Sequence, residues 1–248
     1  MDLYPYREQM NGLWNNADNT KQVIVQHTTE SEGGNTSVIG YLERTKAGSY
    51  QTMVDFDGEE VRLVPDNKQA WGAMPKGNKA GLHTCVMGRA EWSRDRWLRE
   101  AKLLERTAMR YAEWHKKYGI PLVKINGDQV RAGVRGVCGH IEIRDAFRES
   151  DHWDPGYNFP YDVVIERAKQ IAAGGGGNKG DVPMSAAEVA DIKDFITKFV
   201  GPIGSDVKDI REQLCGEGQR NAGQYKGWKQ LGGKTLVDAV ADLLKGGK

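Results

Sequence analysis

Gly139 to Pro160, GHIEIRDAFRESDHWDPGYNFP, gathers two of the five histidines, several carboxylates and a Trp-Asp-Pro-Gly turn. Far upstream, His27 ends the apolar run Val23-Ile24-Val25-Gln26. Zinc accepts imidazole nitrogen and carboxylate oxygen readily, and a catalytic zinc keeps three protein ligands with one position left open. His27, His140 and Asp154 would supply such a set. His152 stands two residues before Asp154. On extended backbone such residues point to the same side, so His152 would face the open position without ligating. The set has no HExxH motif and is spread over 128 positions. A lone histidine at a strand end is more often a hydrogen-bonded structural residue. Only a fold could join these groups.

Four phrases occur in one order with sensible gaps: Gln26-His27-Thr28-Thr29, Ser49-Tyr50-Gln51-Thr52-Met53-Val54-Asp55, Cys138-Gly139-His140 and Asp151-His152-Trp153-Asp154-Pro155-Gly156. Together they resemble the zinc-dependent type-2 N-acetylmuramoyl-L-alanine amidases, which have the peptidoglycan-recognition-protein fold. The resemblance is in particular to amidase domains of endolysins from phages of mycobacteria and related actinobacteria. It runs from about residue 20 to about residue 170.

The resemblance implies a Zn2+ cofactor and places His27, His140 and Asp154 on the family's ligand positions. The third ligand is cysteine in some members and aspartate in others; this chain has the aspartate form. Tyr50 matches the catalytic tyrosine, thought to orient water or the tetrahedral intermediate; the plain alternative is an ordinary strand tyrosine. His152 falls where many members have lysine, which implies an oxyanion stabiliser and proton donor. Because histidine titrates near neutrality, the rate should fall more sharply at alkaline pH than in a lysine enzyme. Trp71, Asn78 and Trp153 are candidate walls of a substrate groove. Two positions depart from the pattern. Gln51 stands where many relatives have histidine after the tyrosine, and Cys85 where another subgroup has glutamate. His83 nearby reads as structural, with a fourth-ligand role as the alternative.

The function so implied is that of a phage endolysin. It would cleave the amide between N-acetylmuramic acid and L-alanine in bacterial peptidoglycan and so lyse the host. The alternative is a non-catalytic protein that recognises peptidoglycan; such members typically lose a ligand. A purely structural zinc is a third reading, against which stands the absence of an obvious fourth ligand.

Composition sets the outer bounds. At 248 residues the chain has room for one domain of ordinary size and a small one. Apolar residues make up 39% and charged residues 28%, as in soluble globular proteins. A net charge of +1 gives no bulk field for nucleic acid or an anionic membrane. Three scattered cysteines make no disulfide framework. The N-terminus MDLYPYREQMNG lacks a signal pattern. No apolar run nears the ~20 residues of a membrane helix. The expectation is synthesis in a host cytoplasm, without membrane insertion, and action on the wall after the membrane is permeabilised.

The elements that would position these groups read as α/β: a central mixed sheet of five or six strands flanked by helices, then a small all-α module. Residues 1–20 read as a capping segment. Strands are expected at Val23–Gln26, Tyr50–Phe56, Glu60–Val64, Leu82–Met87 and Pro121–Ile125, with a hairpin at Asp57-Gly58. Helices are expected at Thr36–Arg44, from the Ser93 cap to Gly119, and at Tyr161–Ala172. The long helix carries the stripe Trp97, Ala101, Leu104, Ala108, Tyr111 and His115.

AGGGGNKGD, residues 173–181, is a linker by composition. The expected domains are therefore 1–172, the zinc amidase domain, and 182–248, a helical module. The module has helices opened by Ser185 and Thr235, one between them at Asp206–Leu214, and a stop at Gly201-Pro202. It would bind the cell wall or form a homo-oligomer. Tyr225 and Trp228 would pack its small core or stack on sugar.

Overall fold

The computed structural model describes residues 4–174, 193–194, 197–198, 201–215 and 227–246. The chain divides into two units, Met1–Gly177 and Asn178–Lys248. The strands of the first unit are β1 (Tyr6–Glu8), β2 (Trp14–Asp18), β3 (Val23–Thr28), β4 (Thr52–Val54), β5 (Glu60–Arg62), β6 (Lys68–Ala70), β7 (Gly81–Val86) and β8 (Gly136–Gly139). Its helices are α1 (Gly34–Thr45), α2 (Met74–Ala80), α3 (Arg94–Leu98), α4 (Ala101–Tyr118), α5 (Gly127–Arg131), α6 (His140–Phe147) and α7 (Tyr161–Ala172).

Six strands form one mixed sheet in the order β1-β5-β4-β7-β3-β8, and β2 pairs with β6 in a separate antiparallel ribbon. Within the main sheet β4 and β5 run antiparallel, and the other neighbours are parallel. Strand β3 lies between β7 and β8 and is buried from end to end. A strand covered on both faces needs apolar side chains in both directions, which is why Val23-Ile24-Val25 is continuous rather than alternating. Period two still sorts the side chains. Ile24 joins the core built with α1, α4 and α7, while Val23 and Val25 join Ala73, Ala80, Val130 and Ile143 on the other side. Gln26 follows Ile24, and its Oε1 accepts the Tyr111 hydroxyl of α4 at 2.7 Å. His27 follows Val25, toward α6.

Several expectations change. Residues 1–20 are more than a cap, because β1 extends the sheet edge beside β5. The strands around Asp57-Gly58 are short, but they pair as a hairpin from Thr52–Arg62 to Val54–Glu60, with Gly58 at φ +87°. The helix expected from Ser93 to Gly119 is two helices. Ser93 Oγ does accept from Arg96 N, yet the backbone leaves helical geometry at Glu100 (φ −90°, ψ 54°). The break separates Trp97 from the α4 stripe, and its fully buried ring packs against Trp92 and Phe159. Ala101 is consequently exposed, and α4 buries Leu103, Leu104, Ala108, Tyr111, Ala112 and Trp114. His115 Nδ1 meets the Ile120 carbonyl at 2.8 Å, a structural role. The strand expected at Pro121–Ile125 reduces to a bridge between Lys124 and Val137; Pro121 has no N–H to give a ladder.

In the second unit α8 (Gly201–Cys215) and α9 (Leu236–Gly246) are described, with a 3-10 turn at Lys229–Leu231. A helix is described from Gly201-Pro202 onward, where a stop was expected; the residues directly before it lie outside the described ones. Thr235 Oγ1 accepts from Asp238 N at 3.1 Å, as a cap should. The helix expected after Ser185, Tyr225 and most of the 173–181 linker lie outside the described residues. No helix among the described residues is long and apolar enough to cross a membrane.

Candidate metal centre

Three separate elements deliver the site. His27 is the penultimate residue of β3, and His140 is the first residue of α6, directly after β8. Both lie where parallel strands end, the usual place for sites in open α/β sheets. Asp154 arrives on the irregular segment between α6 and α7. Its backbone oxygen accepts from Ile141 N at 3.1 Å, which ties the turn to the start of α6. Gly139 permits this approach: a Cβ there would stand 2.7 Å from Pro155 Cδ and 2.6 Å from the Tyr161 hydroxyl.

The three side chains converge and are buried, with one donor atom from each lying within 4.8 Å of the others. His27 Nδ1 is 2.9 Å from Asp154 Oδ2, and His140 Nδ1 is 3.2 Å from Asp154 Oδ1. With bond lengths of about 2.1 Å, ligands on one tetrahedral zinc stand about 3.4 Å apart. The donor types and their spacing therefore fit a two-histidine, one-carboxylate zinc site. His83 is not in this group.

Burial by itself would raise the Asp154 pKa, but contacts from His140, His152 and His27 hold it well below the usual carboxylate value. It stays anionic, as a ligand must. Burial lowers the pKa of His27 and keeps a neutral, donor-competent imidazole, against the opposing pull of Asp154. His152 lies at the rim with a 64% exposed side chain. Its Nδ1 is 3.6 Å from Asp154 Oδ1, and its ring stacks on His140 at 4.8 Å. The Asp154 carboxylate beside it raises its pKa. The Tyr50 ring lies 5.1 Å from that of His27. Burial, then Cys85 and Asp154, push its phenol pKa well above the ordinary value, so its proton stays on. Cys85 is fully buried, and burial pushes its thiol up as well.

The proposed groove residues divide. Trp153 is exposed, with Tyr157 6.1 Å away. Trp71 is half-buried and donates Nε1 to Asn15 Oδ1 at 3.0 Å. Asn78 is buried, and its Oδ1 accepts from Gly72 N and Ala73 N, so it fastens a turn and is not brought to a groove surface. Gln51 is likewise committed to the scaffold, accepting from His83 N at 2.7 Å.

Sequence reasoning missed two contacts behind the ligands. Ser150 Oγ lies 3.2 Å from His140 Nε2, and His83 Nδ1 lies 3.0 Å from His27 Nε2. His83 was visible as a histidine on an apolar strand, but nothing local shows which ring it meets.

The family model described as N-acetylmuramoyl-L-alanine amidase matches residues 16–157. A second, the Rv3766 C-terminal domain, matches residues 185–246. Among solved structures, the hydrolase AmiA of Staphylococcus aureus, in complex with its ligand, is 17% identical. That match covers 70% of this chain and 87% of AmiA, with a TM-score of 0.56. The N-acetylmuramoyl-L-alanine amidase LysC of Clostridium intestinale URNW is 15% identical over 68% of this chain and 99% of its own, with a TM-score of 0.48. No curated protein matches the chain. The likeness to AmiA is one of fold, and the family match spans both histidines and the aspartate.

Proposed function

The chain belongs to the N-acetylmuramoyl-L-alanine amidase family, and on that footing we propose that it is a zinc-dependent hydrolase of bacterial peptidoglycan. The bond cleaved is the amide between the lactyl group of N-acetylmuramic acid and L-alanine. The observation that carries this reading is the buried convergence of His27, His140 and Asp154 at the strand ends. When bound there, zinc supplies Lewis acidity to an amide carbonyl and to water near neutral pH.

The protein groups then have distinct tasks. His27 and His140 give neutral nitrogen donors, and Asp154 gives the single negative charge, so the loaded centre keeps a net positive charge. Tyr50 holds its phenolic proton and can donate a hydrogen bond beside His27, where it orients the attacking water or the tetrahedral carbon's oxygen. His152, exposed at the rim, donates to the developing oxyanion and passes a proton to the departing alanine nitrogen. Water adds its hydroxyl to the carbonyl carbon, the C–N bond breaks, and the nitrogen leaves as a free amine. Trp153 offers an exposed aromatic face for the glycan. Residues 182–248 form a separate wall-binding or self-associating module. The sequence phrases shared with actinophage lysins extend the proposal to an endolysin that reaches the wall after membrane permeabilisation.

The test is mass spectrometry of actinobacterial peptidoglycan after digestion, with chelator and then with added zinc. Stem peptides carrying a new L-alanine amino terminus should appear, vanish with chelator and return with zinc. Intact wall with the protein still bound would replace hydrolysis by recognition.

A further inference from the structure

We infer that His83 is a positioning residue that fixes the ring of His27 from behind, as a neutral hydrogen-bond acceptor. The inference rests on the metal-centre reading above. His27 presents Nδ1 toward Asp154, and with that nitrogen given to a metal the ring proton sits on Nε2. His27 is only 1% exposed, so this N–H needs a protein acceptor. The structure places His83 Nδ1 there at 3.0 Å. His83 then carries its own proton on Nε2, with the Gly77 backbone as its neighbour.

The fold builds a slot for this ring. His83 is fully buried on β7, one strand over from β3. A Cβ on Gly72 would stand 2.7 Å from His83 Nδ1, and one on Gly81 2.9 Å from Nε2. Gln51 Oε1 fixes the His83 backbone, and Asn78 Oδ1 fixes the Gly72-Ala73 backbone. The imidazole is thus held on both edges with Nδ1 aimed at His27. Partners behind a metal-bound histidine set its tautomer and orientation, and carboxylates or carbonyls commonly do this. An imidazole orients the ring without adding a second negative charge. Asp154 remains the sole anion among the ligands, which preserves the centre's positive charge.

The test uses the full chain, stripped and then titrated with zinc against a chromogenic chelator. His83→Leu fills the slot without an acceptor and should weaken zinc binding about 10–100-fold. His83→Asn sets an amide oxygen near the place of Nδ1 and should bind within about threefold of the unaltered protein. In zinc-loaded protein with nitrogen-15 histidine, NMR should show the His27 proton on Nε2, and His83→Leu should broaden or shift it. Zinc binding by His83→Leu equal to that of the unaltered chain, His83→Asn as weak as His83→Leu, or a His27 proton on Nδ1 would each overturn the inference while leaving the metal centre standing. An unaltered chain that takes up no zinc would overturn the centre itself, and this inference with it. If His83→Leu fails to fold, the NMR signal of the unaltered chain and the affinity of His83→Asn decide.

Discussion

Replacing Gly156 by alanine tests how the third ligand is seated. Gly156 lies two residues past Asp154 at φ +86°, and an added Cβ would stand 1.9 Å from the Ala90 carbonyl oxygen and 2.8 Å from its carbon. Both are backbone atoms, so neither can swing aside. The left-handed conformation costs a residue with a Cβ about 1–2 kcal/mol. Forcing an extra carbon into packed structure costs about 1–3 kcal/mol more. Gly156→Ala should therefore destabilise by about 2–5 kcal/mol. Gly133 provides the control, at φ +82° with nothing within 4 Å of its Cβ position. Gly133→Ala should cost only the first amount, about 1–2 kcal/mol. Urea unfolding of both variants measures the difference, and each kcal/mol should shift the melting temperature by roughly 2–4 °C at this size. The turn closed by Gly156 N on Trp153 O carries Asp154, so zinc affinity should fall in Gly156→Ala alone. Equal destabilisation of the two variants would refute the contact argument. A less stable Gly156→Ala with unchanged zinc affinity would refute the link between the turn and the ligand.

Four further outcomes are expected. Asp154→Asn keeps the side-chain shape but removes the anion between His27 and His140; calorimetry should show lost zinc uptake, and amide cleavage should be lost with it. His152→Ala should slow cleavage about 100-fold or more, while His152→Lys should retain most of the rate, by single-turnover assay; equal rates would remove His152 from the reaction. Glu60 is 1% exposed and pairs with both Arg106 and Arg110, so Glu60→Gln should cost about 3–5 kcal/mol in denaturant unfolding by leaving the buried Arg106 charge uncompensated, while Arg110 keeps Glu113. The Arg94 hydrogen bonds lower the Asp162 pKa, so their stabilisation is present above the unfolded carboxylate value of about 3.9 and disappears as pH falls through the lower folded value. Both side chains are largely exposed, so Arg94→Ala should cost about 0–1 kcal/mol at pH 7 and nothing near pH 2, by thermal melts.

Much of this protein is legible one residue at a time. The buried run Val23-Ile24-Val25 announces a strand covered on both faces, because its side chains must satisfy two cores at once. Ser93, Gly119 and Thr235 mark helix ends through local hydrogen bonding and backbone freedom, which depend on no distant partner. The residue types and order of His27, His140 and Asp154 name the chemistry, since imidazole and carboxylate are metal donors wherever they are gathered. What the linear chain withholds is which groups meet. The break at Glu100 goes with the packing of Trp97 against Phe159, far along the chain. Asn78 reads as a groove wall and Gln51 as a departure from the family pattern, yet tertiary contacts commit both to backbone. His83 shows the division most clearly. Its sequence makes it a histidine on an apolar strand, and only the register of β7 against β3, with Gly72 and Gly81 leaving room, sets its Nδ1 3.0 Å behind His27. Sequence determined the donors, the caps and the strand cores by short-range chemistry; the tertiary structure decided the pairings, because hydrogen bonds and metal geometry are matters of a few ångströms that no spacing along the chain encodes.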